Sequence, residues 1–310
     1  KYESLLINDF LYESNDIISK TGFLSDYDII VKNFNSYTEN SSSYTEKEEY
    51  DVFSSLLLKT SFPLKKINEN SQDYLKPIMA LRYSPNNTKN ISDKDVKLSY
   101  NNIFSLNRIG SNEIVEGGKS ISLGLEFEKR DLEDNKIIGF NIANSIRDKK
   151  NDNLPDKSNL NNIRSDFVGN LSFNPNKILN FDYSFSYDQN LDGSNYDSIK
   201  TSINLNNFIT SFDFISEDGE IGNNEIIKNT TTLKLNNENN LKFKTSKDLK
   251  NDFTEYYNLI YSYETDCLIA SAEFNKKFYK DGSLVPDKSL LFTIRFIPFA
   301  EFKPAATALN

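Results

Sequence analysis

The 310-residue chain has no histidine, no tryptophan, one methionine (Met79) and one cysteine (Cys267). Without histidine, neither a Ser-His-Asp triad nor a Cys-His pair can be assembled, and one thiol cannot build a His- or Cys-based zinc site. Most hydrolytic and zinc-dependent activities are thereby excluded, so an enzyme is not expected, nor any catalytic residue, metal or cofactor. No run of about 18 apolar residues occurs, which excludes a transmembrane helix. Spanning by strands stays open, because barrel strands are short and half polar. Basic excess is also missing: 36 Lys and Arg face 45 Asp and Glu, for a net charge of -9. Nucleic acid is therefore not an expected partner, since phosphate binding needs clustered cations. The chain begins at Lys1 rather than at an initiator Met, and is expected to be a mature form or a fragment whose targeting signal is out of view.

What is present is alternation. Only 37% of the residues are apolar, yet there are 23 Phe and 17 Tyr. From Leu179 to Tyr187 every odd position is large and apolar or aromatic, and every even one is small and polar. Ile121, Leu123, Leu125 and Phe127 alternate in the same way with Ser122, Gly124, Glu126 and Glu128, as do Leu268, Ala270, Ala272 and Phe274 with Ile269, Ser271, Glu273 and Asn275. A period of two is the signature of a strand with one apolar and one wet face. About fifteen strands follow from alternation and turn residues together. They are expected near 3–13, 22–37, 49–63, 75–84, 119–131, 136–147, 164–174 and 178–189, then 196–206, 208–217, 225–236, 239–248, 253–265, 267–279 and 288–301.

Short turns at Asn174-Pro175-Asn176, Asp192-Gly193, Glu217-Asp218-Gly219, Asn236 to Asn240 and Asp281-Gly282 mark hairpins, because Gly and Asn accept the positive φ that tight turns demand. Consecutive hairpins make an all-β, up-and-down antiparallel meander. The longest irregular stretches, Pro85 to Lys119 and Asp148 to Ile163, are polar and are expected as loops on one rim. So long a meander must close or expose its edges, and a transmembrane barrel is the economical solution, with the polar alternates facing a watery lumen. Tyr83, Tyr100, Tyr187, Tyr261, Tyr263, Phe299 and Phe302 would then suit interfacial girdles. A secreted or periplasmic β-sandwich has the same alternation and remains the alternative.

Few segments carry recognisable chemistry. Gly117-Gly118 lacks the strand-before, helix-after setting of a phosphate loop. Asp93/Asp95 and Asp131/Asp134 match no calcium-loop spacing, and solvated loop acids are expected there. Cys267 is either a small buried hydrophobe or the partner of a thiol outside this chain. Pro298 either ends the last strand or weakens a seam, because proline gives no N–H to a ladder.

Three segments together carry a resemblance. The first comprises Leu75 to Asn86, including Pro77, Arg82, Tyr83 and Pro85, followed by Phe104, Leu106, Asn107 and Arg108 with Glu116, Gly117 and Gly118. The others are Tyr263 to Cys267 and the closing Leu290-Leu291-Phe292-Thr293-Ile294-Arg295-Phe296-Ile297-Pro298-Phe299. This ordered set resembles the C-terminal region of the LPS-assembly outer-membrane proteins of the LptD (organic solvent tolerance) family. The resemblance implies residues 1–310 as the C-terminal part of a larger barrel in the Gram-negative outer membrane, about fourteen or fifteen strands of it, without the N-terminal periplasmic jelly roll and the first strands. It also implies transport and assembly of lipopolysaccharide (LPS), received from a periplasmic bridge protein and released through a lateral gate between the first and last strands. The partners implied are LPS, outer-membrane lipids, the bridge protein and the plug lipoprotein LptE. Leu290, Phe292, Ile294, Arg295, Phe296 and Pro298 would form the gate strand. Cys267 matches the second of the family's paired C-terminal cysteines, which bond to the N-terminal domain, while Asp266 stands where the first would be. A porin-like solute channel and a soluble β-rich adhesin segment are the competing functions.

Overall fold

A computed structural model describes residues 2–40, 47–217, 223–278, 287–297, 300–302 and 307–308. Strands dominate, and among the described residues the one helical element is a single 3-10 turn, Lys157–Asn159, so the all-β, up-and-down antiparallel class expected from the sequence is the one present. Two compact units divide the chain, one built mainly from Lys1–Leu171 with Ser184–Asn195, the other from Ser172–Tyr183, Tyr196–Asp218 and Gly222–Asn310.

The first unit holds β1 (Tyr2–Glu13), β2 (Ile17–Ile18), β3 (Leu24–Glu39), β4 (Lys47–Ser61), β5 (Leu64–Ile67), β6 (Gln72–Ser84), β7 (Gly118–Arg130) and β8 (Lys136–Arg147), and β9 (Phe167–Phe173) begins in it. Antiparallel ladders join β1 to β3, β3 to β4, β4 to β6, β6 to β7 and β7 to β8. The short β2 and β5, absent from the sequence reading, extend ladders on β3 and β6. Pro77 is tolerated inside β6 because it sits where the partner changes from β5 to β4; its carbonyl accepts the Phe62 N–H at 3.1 Å there, so the missing N–H falls in a gap between ladders.

Register fixes which residues share a face. Leu57, Arg82, Ser120 and Arg147 lie in one row across β4, β6, β7 and β8, and Ala80, Ser122 and Ser145 in the next. This face is buried, while Val52, Leu56, Leu58, Leu81, Tyr83 and Leu123 on the opposite face are exposed. An exposed, contiguous apolar face over small and polar inward residues is the reverse of a soluble sheet and calls for a non-aqueous covering.

The buried face corrects one expectation. Residues 85–117 are not a polar rim loop: Ile91, Leu98, Tyr100, Ile103, Leu106, Ile109, Ile114 and Val115 form a core with Ile30, Phe34, Phe53, Leu57 and Ala80 of the strands. Leu154 and Leu160 of the 148–166 connection join the same core. Each such side chain stabilises the packing by about 1.5–3 kcal/mol when fully buried, which is how a mostly polar segment stays folded against the sheet. Tyr100 is therefore not an interfacial girdle residue; it is buried, packs edge-on to Phe104 and donates to Glu126 Oε1 at 2.8 Å.

The second unit continues the meander with β10 (Leu179–Tyr187), which straddles the division, β11 (Ser194–Leu205), β12 (Phe208–Glu217), β13 (Asn224–Lys234), β14 (Asn239–Asp248), β15 (Phe253–Glu264), β16 (Leu268–Lys277) and β17 (Asp287–Phe296). Ladders join consecutive strands from β11 to β17. Phe243, Leu259, Phe274 and Leu290 align across β14 to β17, and Tyr261, Ala272 and Phe292 in the row beside them. Asn236 closes the β13–β14 turn by accepting the N–H groups of Glu238 and Asn239 at 2.9 and 2.8 Å, the side-chain mimicry that makes Asn a turn residue. The expected turns at Asp218-Gly219 and Asp281-Gly282 lie outside the described residues.

Gly124 tests the seating of the 85–117 segment, because a Cβ there would run into Phe104 Cζ. Gly124→Val should destabilise the fold by about 1–3 kcal/mol, read as a lower unfolding temperature by heat-modified gel migration. Leu123→Ile, on the exposed face, should stay within about 0.5 kcal/mol.

Candidate functional site: one carboxylate among three guanidinium groups

Where β6, β7 and β8 approach the 85–117 segment, the inward alternates are small: Ser120, Ser122, Gly124, Ala143 and Ser145. Small residues leave room for Arg108, which reaches from the segment onto the sheet. Its Nη1 donates to Ser145 Oγ at 2.6 Å and its Nη2 to Ser120 Oγ at 3.2 Å. Its Nε and Nη2 also hold Glu116 in a two-pronged contact, each at 2.7 Å. Glu116 is buried and takes two further cations from the strands: Arg82 Nη2 at 2.7 Å, and Arg147 Nη1. Arg82 Nη1 donates to the Glu116 carbonyl at 2.6 Å, and Arg147 Nη2 to the Gly117 carbonyl at 2.8 Å.

Three guanidinium groups thus share one carboxylate. Burial alone would raise the Glu116 pKa, but the charges of Arg108 and Arg82 outweigh it and hold the group well below the usual carboxylate range. Paired geometry of this kind is what makes a buried ion tolerable, and removal of one partner is far more damaging than the net value of the pair. Gly117 is required by space, since a Cβ would overlap the Asn86 carbonyl oxygen; its N–H donates to Thr88 Oγ1 at 2.8 Å. Thr88 in turn accepts from Asn151, and its carbonyl from Asn153, both at 2.9 Å, tying the 148–166 connection to the same cluster. On β3, buried Lys32 anchors the segment's far side through the Asn112 carbonyl at 2.7 Å while pairing with Asp9 at 2.5 Å.

The structure brings together Arg82, Arg108, Glu116, Gly117 and Gly118 of the motif read from the sequence. Phe104 and Leu106 lie in the packing beneath them. Asn107 is exposed and holds a local turn through Ser111 O at 2.8 Å. Tyr83 stands on the opposite, exposed face, and Pro85 lines a polar basin at the strand ends. Arg147 was missed, because a lone arginine on the wet face of a strand resembles any solvated alternate. The signal available was the row of Ser, Gly and Ala around it, which only an inserted partner explains.

Other expected positions fall elsewhere. Cys267 is exposed in the short β15–β16 turn. Leu290, Phe292, Ile294, Arg295 and Phe296 lie in β17, laddered to β16. The strand expected to run to 301 ends at Phe296; β18 (Ala300–Phe302) pairs antiparallel with Ile294–Phe296, and β19 (Thr307–Ala308) with Ser289 and Leu290. Pro298 lies outside the described residues. Asp131 closes its own turn through the N–H groups of Glu133 and Asn135 at 2.9 and 2.8 Å, and Asp95 is paired to Lys157. Among the described residues no group of three His, Cys, Asp or Glu is placed to hold a metal.

Against protein families, the model for LptD, LPS transport system D, matches residues 27–245, more than two thirds of the chain. The chain belongs to the LptD family. LptD proteins are β-barrel components of LPS transport in the outer membrane of Gram-negative bacteria, and the family is one of transport and assembly rather than of enzymes. No curated protein matches the chain. The match includes the whole cluster, from Arg82 through Glu116 to Arg147, and ends before Cys267 and β17.

The ion cluster should behave as one unit. Glu116→Ala should destabilise the fold by about 3–5 kcal/mol, measured as a fall in the urea midpoint, with Arg108→Ala similar and the double variant far from additive. Because the Glu116 pKa is depressed, its stabilisation is fully present above the ordinary value of 4.5 and is lost only as pH falls through the depressed value. Acidification to about pH 4 should therefore leave the segment docked, as monitored by protease resistance of residues 98–117.

Proposed function

We propose that this chain is the C-terminal part of an outer-membrane barrel that receives LPS from a periplasmic bridge protein and releases it sideways into the outer leaflet, with LptE as its plug lipoprotein. Membership of the LptD family is the observation that carries this. Its physical support is the two-faced sheet: apolar residues that suit lipid on one face, and polar side chains and a clamped segment that suit a sugar head group on the other. In barrels of this membrane the short turns face the periplasm and the long loops the exterior. By that rule the 85–117 and 148–166 segments stand outside, and the short 265–267 turn with Cys267 stands in the periplasm. Cys267 is then placed to bond to a periplasmic domain of the parent protein.

β17 is the proposed gate strand. Its Leu290, Phe292, Ile294 and Phe296 face lipid, while Arg295 lies on the polar side. A seam with fewer ladder bonds opens more readily, each bond contributing roughly 0.5–1.5 kcal/mol, and a proline such as Pro298 has no N–H to give a ladder. Moving an amphipathic lipid in this way needs a polar path and a side exit, with no catalytic group.

The test is to purify the tagged full-length parent from its own envelope. Retention of a small lipoprotein together with LPS, and a non-reducing gel shift abolished by Cys267→Ser, are the expected results. A barrel that conducts ions and carries neither lipoprotein nor LPS would replace this function with that of a solute channel.

A further inference from the structure

On the exposed face of the first unit, Leu58, Leu81, Ile121 and Ile146 form one row across β4, β6, β7 and β8. The next row toward the long segments is Leu56, Tyr83 and Lys119. Together they line an open apolar trough whose upper edge is a cation: Lys119 Nζ lies 5.6 Å from the centre of the Tyr83 ring. Over the strand ends lies a second hollow, a polar basin of ≈ 590 Å³ between the 85–88 and 148–153 stretches. Trough and basin share Tyr83, Lys119, Arg147 and Asp148, so they meet along one edge.

The charge at this edge runs against the rest of the chain. Lys119, Arg147, Lys149 and Lys150 line the basin with only Asp148 and Asp152 opposing them, in a protein whose net charge is -9. Lys150 is taken by Asp152 at 3.0 Å. Arg147 is buried, and its Nε has no hydrogen-bond acceptor among the described residues. A trough that holds acyl chains, capped by cations and continuous with a polar hollow, matches an amphipath with an anionic sugar head. An inorganic phosphate would use the basin alone and leave the trough without a role.

We infer that this rim is a binding subsite for an anionic glycolipid, with acyl chains along the Leu58–Leu81–Ile121–Ile146 row and a head-group phosphate or carboxylate at Lys119 and Lys149. The inference rests on the transport function proposed above, in which the glycolipid is LPS, and adds a resting place on the barrel wall distinct from the gate strand. There the lipid sits where the long segments emerge, on the side of the membrane to which it is delivered.

The test uses the full-length protein in living cells, with a photo-crosslinking amino acid at Leu81, at Tyr83, or at Phe274 on the exposed face of β16 as reference. Adducts are detected with an LPS-specific antibody and their lipid is identified by mass spectrometry. LPS adducts should concentrate at positions 81 and 83, and the pair Lys119→Glu with Lys149→Glu should lower them by about fivefold or more, with the folded fraction matched by heat-modified migration. Equal labelling at position 274, adducts of phospholipid alone, or labelling insensitive to the charge reversals would overturn the subsite while leaving transport intact. Normal surface LPS after depletion of the parent protein would overturn the transport function itself, and the subsite with it.

Discussion

The Glu116 carboxylate is the group on which the first unit depends. It carries the charge that lets Arg82, Arg108 and Arg147 lie out of water, and two of those arginines belong to strands while the third belongs to the inserted segment. A contact of this kind is specific before it is strong, because desolvation of four ionic groups consumes most of the Coulombic gain. Its value is positional. Arg108 can meet Glu116 and the Ser120, Ser122 and Ser145 hydroxyls together in only one placement of the segment on the sheet. The apolar residues around it, Ile103, Leu106 and Val115, supply attraction without direction.

The same arrangement explains why the sheet's wet face differs along the chain. In the first unit that face carries serines, glycine and alanine because a folded segment rests on it. In the second, the polar alternates hydrogen-bond one another, as where Asn258 donates to Asn275 Oδ1 at 2.9 Å. The opposite face exposes large apolar side chains in each unit, Leu58 and Leu81 in the first and Phe274 and Phe292 in the second, interrupted in the second by Thr210, Thr231 and Asn229. One strand grammar thus yields two kinds of face in each unit: one rich in exposed apolar side chains, and one that is packed beneath the inserted segment in the first unit and polar in the second.

Much of this architecture was legible from period-two alternation, since a strand buried on one face declares itself in every second residue. All fifteen expected strands are present, the last of them ending at Phe296 rather than near 301. The short β2 and β5 were not legible because two or four residues carry no period. The 85–117 segment was misjudged for a different reason: Ile91, Leu98, Ile103, Leu106 and Ile109 are spaced irregularly among polar residues, so no periodic test detects a core that tertiary contact alone assembles. Of the ion cluster, Arg82, Arg108 and Glu116 were visible through family resemblance, whereas their convergence on one carboxylate, and Arg147 with it, emerges only from the register of β6, β7 and β8.

The 85–117 segment is a folded, clamped part of the first unit's buried sheet face. Hydrogen–deuterium exchange of the full-length protein in outer-membrane vesicles tests this most directly. Amides such as Ile103, Ser105 and Gly117, bonded to Ser99, Asn102 and Thr88, should exchange as slowly as those of β7. Exchange across residues 98–117 as fast as in the exposed 132–135 turn would contradict it.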